Sequence, residues 1–448
     1  MFDQSFSANN FRKIFDYENR KGVYLEGRFF PQVALLTKML REQKQTIRRF
    51  RKERHTEIVN GTCEKELQAP NEEQRKLEIK IESCLMEHLE RVSREVNAKG
   101  FKLGLKQGST IKGKRVYTAG EFPASYFAIK QLQYNIRRLY KVRQSNRYQI
   151  VCQLREILRD KFPKYIIKMD FSNFYESIPR DKLLTEITVD SLLALTSKRL
   201  IKQILWEYGQ HPGEPQGLPR GIGVSAYLSE LYMRRFDERI QSIPGVLYYA
   251  RYVDDIFIVF VPRPNQQHCH VAQKVEEAVQ ERGLTVNNTK RYDKYIDGNQ
   301  ECQIDFLGYK FVFGRGHIQL QLTKSKEKRY KDRLRLAFEK YNATFAYQPQ
   351  ARDILIKRVK FLTGNTKLVN NKRHATVGVY FSNSLLTCSS TLNSLDRFLE
   401  HQTNQIECER LKYQLKKLTF REGFETIRFH HFTPKSLRQI VQVWKNVT

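Results

Sequence analysis

Three acidic residues stand where a chain could use them together. Asp170 closes the apolar run of YIIKMDFSNFYES (165–177), and Asp254 and Asp255 interrupt a second apolar stretch, YYARYVDDIFIVF (248–260). A carboxylate at the end of a strand projects at a sheet edge with little burial cost, and adjacent acids between two apolar strands are presented at a hairpin tip. Adjacent carboxylates repel each other and call for a cation, for which a hydrated divalent metal is more specific than a stray lysine. If the two strands lie side by side, Asp170 and Asp254 can bridge two Mg²⁺ ions about 3.5–4 Å apart, an arrangement that serves in-line phosphoryl transfer. Taken singly, each acid reads as an ordinary turn residue.

The elements that must position these acids are strands interleaved with helices. Short apolar runs at 165–171, 246–252, 256–261, 283–286, 306–313 and 317–322 read as strands. Helical patterns at about 181–208, 225–242 and 268–282 separate them. This order predicts an α+β fold, a mixed sheet with helices packed on one face. Upstream, 33–59 reads as a basic helix, and 71–98 as an amphipathic one with Leu77, Ile81, Leu85, Leu89 and Val92 at spacings of three and four. Five glycines between Gly100 and Pro123 mark a loop-rich passage with room for hairpins. The pattern is helical again over 124–162, where Arg137, Arg138, Lys141, Arg143 and Arg147 follow one another with no acid between them. After Thr323 the chain is helical and begins with KSKEKRYKDRLR, seven cations against two acids.

Bulk properties agree with a nucleic-acid partner. The 448 residues carry a formal net charge of +31, with 40% apolar and 12% aromatic residues and a mean hydropathy of −0.60. Such a chain repels itself unless polyanions neutralise it. No amphipathic anchor or lipid motif points to a membrane surface, the first 25 residues lack the apolar core of a signal peptide, and the longest apolar run, Ile256–Val261, is far too short to cross a bilayer. Seven scattered cysteines without a CxxC pair fit reduced thiols in a cytosol. His268-Cys269-His270 lacks the matching pair that a zinc site requires.

The motifs across about 125–315 resemble those of reverse transcriptases. DFSNFYESIPRDKL (170–183) resembles the family's first catalytic motif and YVDD (252–255) its second; GLTVNNTKR (283–291) and FLGYKF (306–311) resemble the two that follow, in the family's order. The resemblance implies a right-hand polymerase, with an N-terminal basic helical region and fingers extension at 1–123, fingers and palm at 124–322, and an α-helical thumb and C-terminal domain at 323–448. It implies that Asp170, Asp254, Asp255 and the Phe171 carbonyl hold two Mg²⁺ ions, with Mn²⁺ as an alternative. Tyr175 falls where the family places an aromatic ring under the incoming sugar, which favours deoxynucleotides by excluding a 2′-hydroxyl. Gln216, Gly217 and Ser225 in PQGLPRGIGVSAYLSELYM (215–233) resemble the loop and helix beneath the template–nucleotide pair. Arg138 and Arg147 are candidates for the triphosphate, since guanidinium groups match phosphate oxygens, and Lys290 for protonating the departing pyrophosphate. Phe306, Leu307 and Gly308 resemble the primer-gripping turn, and Lys324, Lys326, Lys328 and Arg329 open a thumb helix that lies along the duplex.

The gap between Gln216-Gly217 and Ser225 is longer than in intron and retroviral enzymes and looks like that of bacterial abortive-infection and defence-associated reverse transcriptases. RVKFLTGNTKLVNNKRHATVGVYFSN (358–383) and FTPKSLRQIVQVWK (432–445) also resemble that group, its type 3 members in particular. The implied partners are a non-coding RNA template, deoxynucleoside triphosphates, the DNA product, a companion reverse transcriptase and a homo- or hetero-oligomer, in a bacterial cytoplasm. A retron or mobile-element enzyme, or an inactive polymerase fold kept as an RNA-binding scaffold, are the alternatives.

Overall fold

The computed structural model describes residues 2–53, 64–111, 113–142, 145–213, 216–261, 268–344, 349–368 and 375–444. The end of the basic helix expected at 33–59, Arg143, part of 358–383, Lys445 and the side chains of 268–270 lie outside what is described. The chain forms two compact units, Met1–Arg143 with Tyr175–Tyr232, and Gln144–Phe174 with Met233–Thr448.

In the first unit the basic helix Pro31–Glu53 packs along Glu64–Asn97, whose Leu85, Leu89, Val92 and Val96 are buried as their spacing requires. The glycine-rich passage is a hairpin of β1 (Lys106–Ile111) and β2 (Lys114–Thr118). The helical stretch 181–208 is divided by Asp190 into Arg180–Val189 and Leu195–Gly209. The loop before helix Gly223–Gln241 is fastened by backbone and side chain alike. Leu218 N–H donates to Tyr175 O (2.7 Å) and Gly217 N–H to Ile178 O (3.0 Å). Arg180 donates to the carbonyls of Gln216 (2.9 Å) and Gly217 (3.0 Å). Arg220 forks onto Glu176 at 2.9 and 3.1 Å.

In the second unit β3 (Lys164–Asp170), β4 (Val246–Tyr252), β5 (Asp255–Phe260) and β6 (Tyr292–Ile296) form a sheet of order β4-β5-β3-β6. The α+β architecture is as expected, but the sheet expected to be mixed is antiparallel in every pairing. Ile256, Phe257, Ile258, Val259 and Phe260 are all fully buried, which is why this strand reads as an unbroken apolar run. One sheet face, with Ile166, Phe257 and Val259, packs with Ile150, Val151, Leu154 and Leu158 of helix Arg147–Arg159. That cluster also takes in a three-stranded sheet of β7 (Cys302–Phe306), β8 (Tyr309–Gly314) and β9 (His317–Leu322).

Two strand expectations are corrected. The run 306–313 is broken at Leu307-Gly308, where both residues have positive φ (47° and 76°) and form a two-residue turn between β7 and β8. The run 283–286 makes only one bridge, Val286 to Phe171, because Gly283 takes a positive φ and only four residues separate it from the 3₁₀ turn Asn288–Lys290. After β9, helices Lys324–Ala343, Pro349–Thr363 and Ser390–Asn404 gather a further core around Leu334, Phe338, Leu355, Val359, Leu395 and Trp444.

Gly217 adopts φ +89°, and a Cβ there would lie 2.5 Å from the Glu176 Cα and carbonyl oxygen. Gly217→Ala is therefore expected to destabilise the chain by about 2–5 kcal/mol in denaturant unfolding. Gly100, which has nothing within 4 Å of such a Cβ, should tolerate alanine within about 0.5 kcal/mol. Equal effects at the two positions would contradict the fastened-loop geometry.

Candidate active site

The acids of the second unit meet through strand register. Asp170 ends β3 directly opposite Asp255, the first residue of β5, while Asp255 also pairs with Tyr252, the last residue of β4. Val253 and Asp254 are thus the two residues of the β4–β5 turn. Val253 has φ +62°, a conformation that a β-branched residue adopts only when its surroundings enforce it. The enforcing group is Arg251, 6% exposed. Its guanidinium donates to the Val253 carbonyl (3.0 Å) and forks onto Asp237 at 2.7 Å on both arms. Arg251 and Asp237 are positioning residues that the motif reading overlooked. The signal was available in YYARYVDD, an arginine inside an otherwise apolar strand.

The other side of Asp170 is fixed by the segment that follows Gly283. Asn287 N–H donates to the Asp170 carbonyl (2.8 Å) and Ser172 N–H to the Thr285 carbonyl (2.9 Å), so the bridging bonds leave the Phe171 carbonyl out. Asn287 then caps the 3₁₀ turn Asn288–Lys290 with its side chain, which delivers Lys290 Nζ to 2.5 Å from Asp170 Oδ2. That contact raises the Lys290 pKa above the ordinary lysine value. Lys168, two residues before Asp170 on the same strand face, has its pKa lowered by burial against the opposing pull of Asp255. Burial, then Asp254 and Asp170, push the Asp255 carboxyl up to about 6.

Among the described residues no three His, Cys, Asp or Glu side chains converge as a ready metal-holding group. The donor chemistry nevertheless suits a hard divalent cation. Asp170, Asp254, Asp255 and the Phe171 carbonyl offer only oxygens, and Asp255 is raised by burial first and then by its two acidic neighbours, against the pull of Lys290 and Lys168.

Leu307 and Gly308 form a second centre in this unit. Arg147 Nε donates to the Leu307 carbonyl (2.8 Å), and Arg147 and Lys326 both lie over the Tyr309 ring, at 5.0 and 5.3 Å from its centroid. A Cβ on Gly308 would meet Arg147 and Lys326 at 3.2 and 3.5 Å. Burial, then Arg147 and Arg329, lower Lys326 to about 7, as expected of crowded cations awaiting an anion. Phe306 is buried against Phe257, with ring centroids 5.1 Å apart, whereas Lys324, Lys328 and Arg329 are exposed on the first turns of their helix.

The remaining candidates lie in the first unit. The Tyr175 ring carries the Arg220 guanidinium 5.1 Å from its centroid, and Arg220 is held by Glu176. Ser225 is buried and donates its hydroxyl to Pro219 O (2.7 Å), so it braces the Gln216–Gly217 loop. Arg138 is exposed near the end of helix Pro123–Leu139, lining a cleft with Lys13, Arg20, Arg137, Lys141 and Tyr134. Arg138, named with Arg147 as a triphosphate candidate, belongs to the first unit, and Arg147 to the second, where it bonds the Leu307 carbonyl.

With the folded Asp255 pKa above its unfolded value, its charged form destabilises the fold. The penalty is fully present above about pH 6 and fades as pH falls towards 4. Asp255→Asn is expected to raise stability in a chelator at pH 7.5 by about 2–3 kcal/mol, with the gain shrinking towards pH 4. A variant no more stable than the parent at pH 7.5 would contradict the charge crowding.

Residues 123–311 match the family described as reverse transcriptase (RNA-dependent DNA polymerase). No curated protein matches the chain. Among solved structures, apo telomerase from Candida tropicalis is similar at 13% identity and TM-score 0.39, over 78% of this chain and 62% of that one. Candida albicans telomerase in complex with a fragment of telomeric RNA gives 10% identity and TM-score 0.37, over 65% and 57%. The foamy viral protease–reverse transcriptase with double-stranded DNA gives 16% identity and TM-score 0.28, over 70% and 43%. The chain thus spans less than two thirds of the length of each of these. All of the acids at the β3–β5 tip, with Lys290 and Tyr175, fall inside 123–311, the segment that matches the reverse-transcriptase family.

Proposed function

We propose that the chain is an RNA-directed DNA polymerase acting by two-metal nucleotidyl transfer. The observation that carries the reading is the register pairing of Asp170 with Asp255, with Asp254 on the intervening turn, inside a reverse-transcriptase domain. Two Mg²⁺ ions on Asp170, Asp254, Asp255 and the Phe171 carbonyl would lower the pKa of the primer 3′-hydroxyl and neutralise the leaving pyrophosphate. In the reaction that hydroxyl loses its proton, its oxygen bonds to the α-phosphorus, and the bond to pyrophosphate breaks. Lys290 keeps a proton at Nζ beside Asp170 and is the candidate donor to the departing pyrophosphate. Tyr175, its ring fixed by the Arg220–Glu176 pair, filters the sugar. Arg147 and Lys326 over the Leu307-Gly308 turn supply cations for the primer backbone, and the triphosphate role falls to Arg138.

The biological setting we propose is bacterial antiphage defence, with a non-coding RNA as template. The support is the spacing from Gln216-Gly217 to Ser225 and the resemblance of 358–383 and 432–445 to the defence-associated group.

The test is to purify the chain with co-expressed RNA, add labelled deoxynucleotides and Mg²⁺, and sequence the product. Asp254→Ala should lower synthesis by at least about a hundredfold; absence of a metal-dependent DNA product on every template would refute the polymerase reading. Tyr175→Ala should raise ribonucleotide incorporation relative to deoxynucleotide by about tenfold or more. An unchanged ratio would remove Tyr175 from sugar selection. If the copurified RNA is an intron or retron transcript, the defence assignment fails while the chemistry stands.

A further inference from the structure

A cleft of about 790 Å³ lies in the first unit, where residues 99–102 face helix Leu195–Gly209. The helix holds the connecting segment at both ends. Arg199 reaches back to the last carbonyls of helix Glu64–Asn97 and beyond, at 2.9 Å to Val96 and 3.4 Å to Asn97. Two turns further on, the buried Glu207 accepts from the backbone N–H groups of Leu103 (2.8 Å) and Leu105 (2.9 Å). Between these clamps, about 12 Å apart along the helix axis, the exposed helix face presents Lys202 and Trp206, while the segment presents Lys99, Lys102 and Phe101.

The lining of this cleft contains no acid. The neighbouring carboxylate, Glu207, is turned inward and spent on backbone amides, and Lys198 is tied to the Thr188 and Asp190 carbonyls. Among the described residues no acid pairs with Lys99, Lys102 or Lys202. Trp206 is 56% exposed, a large aromatic face left to solvent beside the lysines, with Leu195 at 83% exposed as the aliphatic part of the lining. Three uncompensated ammonium groups around an exposed indole match one chemistry, alternating phosphates and flat bases. A duplex offers phosphates but hides its base faces, whereas a single strand offers both.

We propose that this cleft binds single-stranded nucleic acid, with backbone phosphates on Lys99, Lys102 and Lys202 and a base stacked on Trp206. Lys99–Lys102 precede the matched segment 123–311, so the cleft is partly built by sequence outside the reverse-transcriptase domain. The proposal requires no turnover and stands apart from the polymerase reading.

The chain has two tryptophans, and the other, Trp444, is buried with its indole N–H donated to Arg333 O (2.9 Å). Intrinsic emission therefore reports on Trp206. The full chain carrying Asp254→Ala is titrated with oligouridylate or oligothymidylate of about twelve nucleotides, with a blunt duplex and with polyglutamate. Quenching by either single strand is expected, and Trp206→Phe should abolish it. Trp206→Ala should weaken binding about tenfold. The triple variant Lys99→Ala/Lys102→Ala/Lys202→Ala should reduce the salt slope of log K by about 2. The substituted lysines and Trp206 are exposed, and a thermal midpoint equal to that of the Asp254→Ala parent confirms folding. Absence of quenching by either single strand, equal quenching by duplex or polyglutamate, or a triple variant with the parent's affinity and slope would overturn the proposal.

Discussion

Carboxylates crowded at the end of an apolar sheet set the terms for the rest of the second unit. Asp170 is 5% exposed and stands in register with Asp255, with Asp254 next in the chain. Charges this close, on strands whose interiors are fully buried, raise the energy of the ionised form, and the elevated Asp255 carboxyl is the consequence. Each neighbouring element works against that repulsion. The Arg251–Asp237 fork holds a strained turn that would otherwise relax, Asn287 pins the Asp170 backbone, and positive charge comes from Lys168 on the same strand as Asp170 and from Lys290 on the 3₁₀ turn. Two lysines offset part of the repulsion, and a divalent cation matches what remains.

The first unit solves a different problem, holding a long loop still with one backbone bond from a two-stranded hairpin, Tyr117 N–H to Arg220 O (2.7 Å). Its fastening uses backbone N–H groups, the Arg180 and Arg220 guanidiniums, and glycines whose missing Cβ lets chain touch chain. The same logic recurs at the clamp of Arg199 and Glu207, where opposite charges are used on backbone rather than on each other. Arginines and acids spent in this way leave lysines as the free charge. Part of the formal excess of 31 positive charges lies in the two clefts of this unit, where a polyanion can reach it.

The Leu307-Gly308 turn joins these themes. A two-residue turn with positive φ at both positions favours Asn-Gly, and leucine at the first is an unfavourable choice. It is maintained by Arg147 bonding the Leu307 carbonyl and by the packing of Phe306 beneath. The outcome is a backbone corner topped by two cations with which no acid pairs among the described residues.

Much of this was written in the order of residues. The apolar runs ending at Asp170 and flanking Asp254-Asp255 specify strands and a hairpin, because alternation, turn length and charge are local properties that act within a few residues. The helical faces around Leu85, Leu89 and Val92 were equally legible. What the sequence left undecided depends on register and on partners far along the chain. That Asp170 faces Asp255, that Lys290 reaches Asp170 across 120 residues, and that Arg147 serves the Leu307 turn are products of strand order and packing. Likewise 283–286 and 306–313 have strand composition, yet one makes a single bridge and the other a turn, since pairing needs a neighbouring edge and an unbroken φ. Local chemistry determined which residues could act; only the tertiary structure decided which of them meet, because long-range contacts form when the whole core closes.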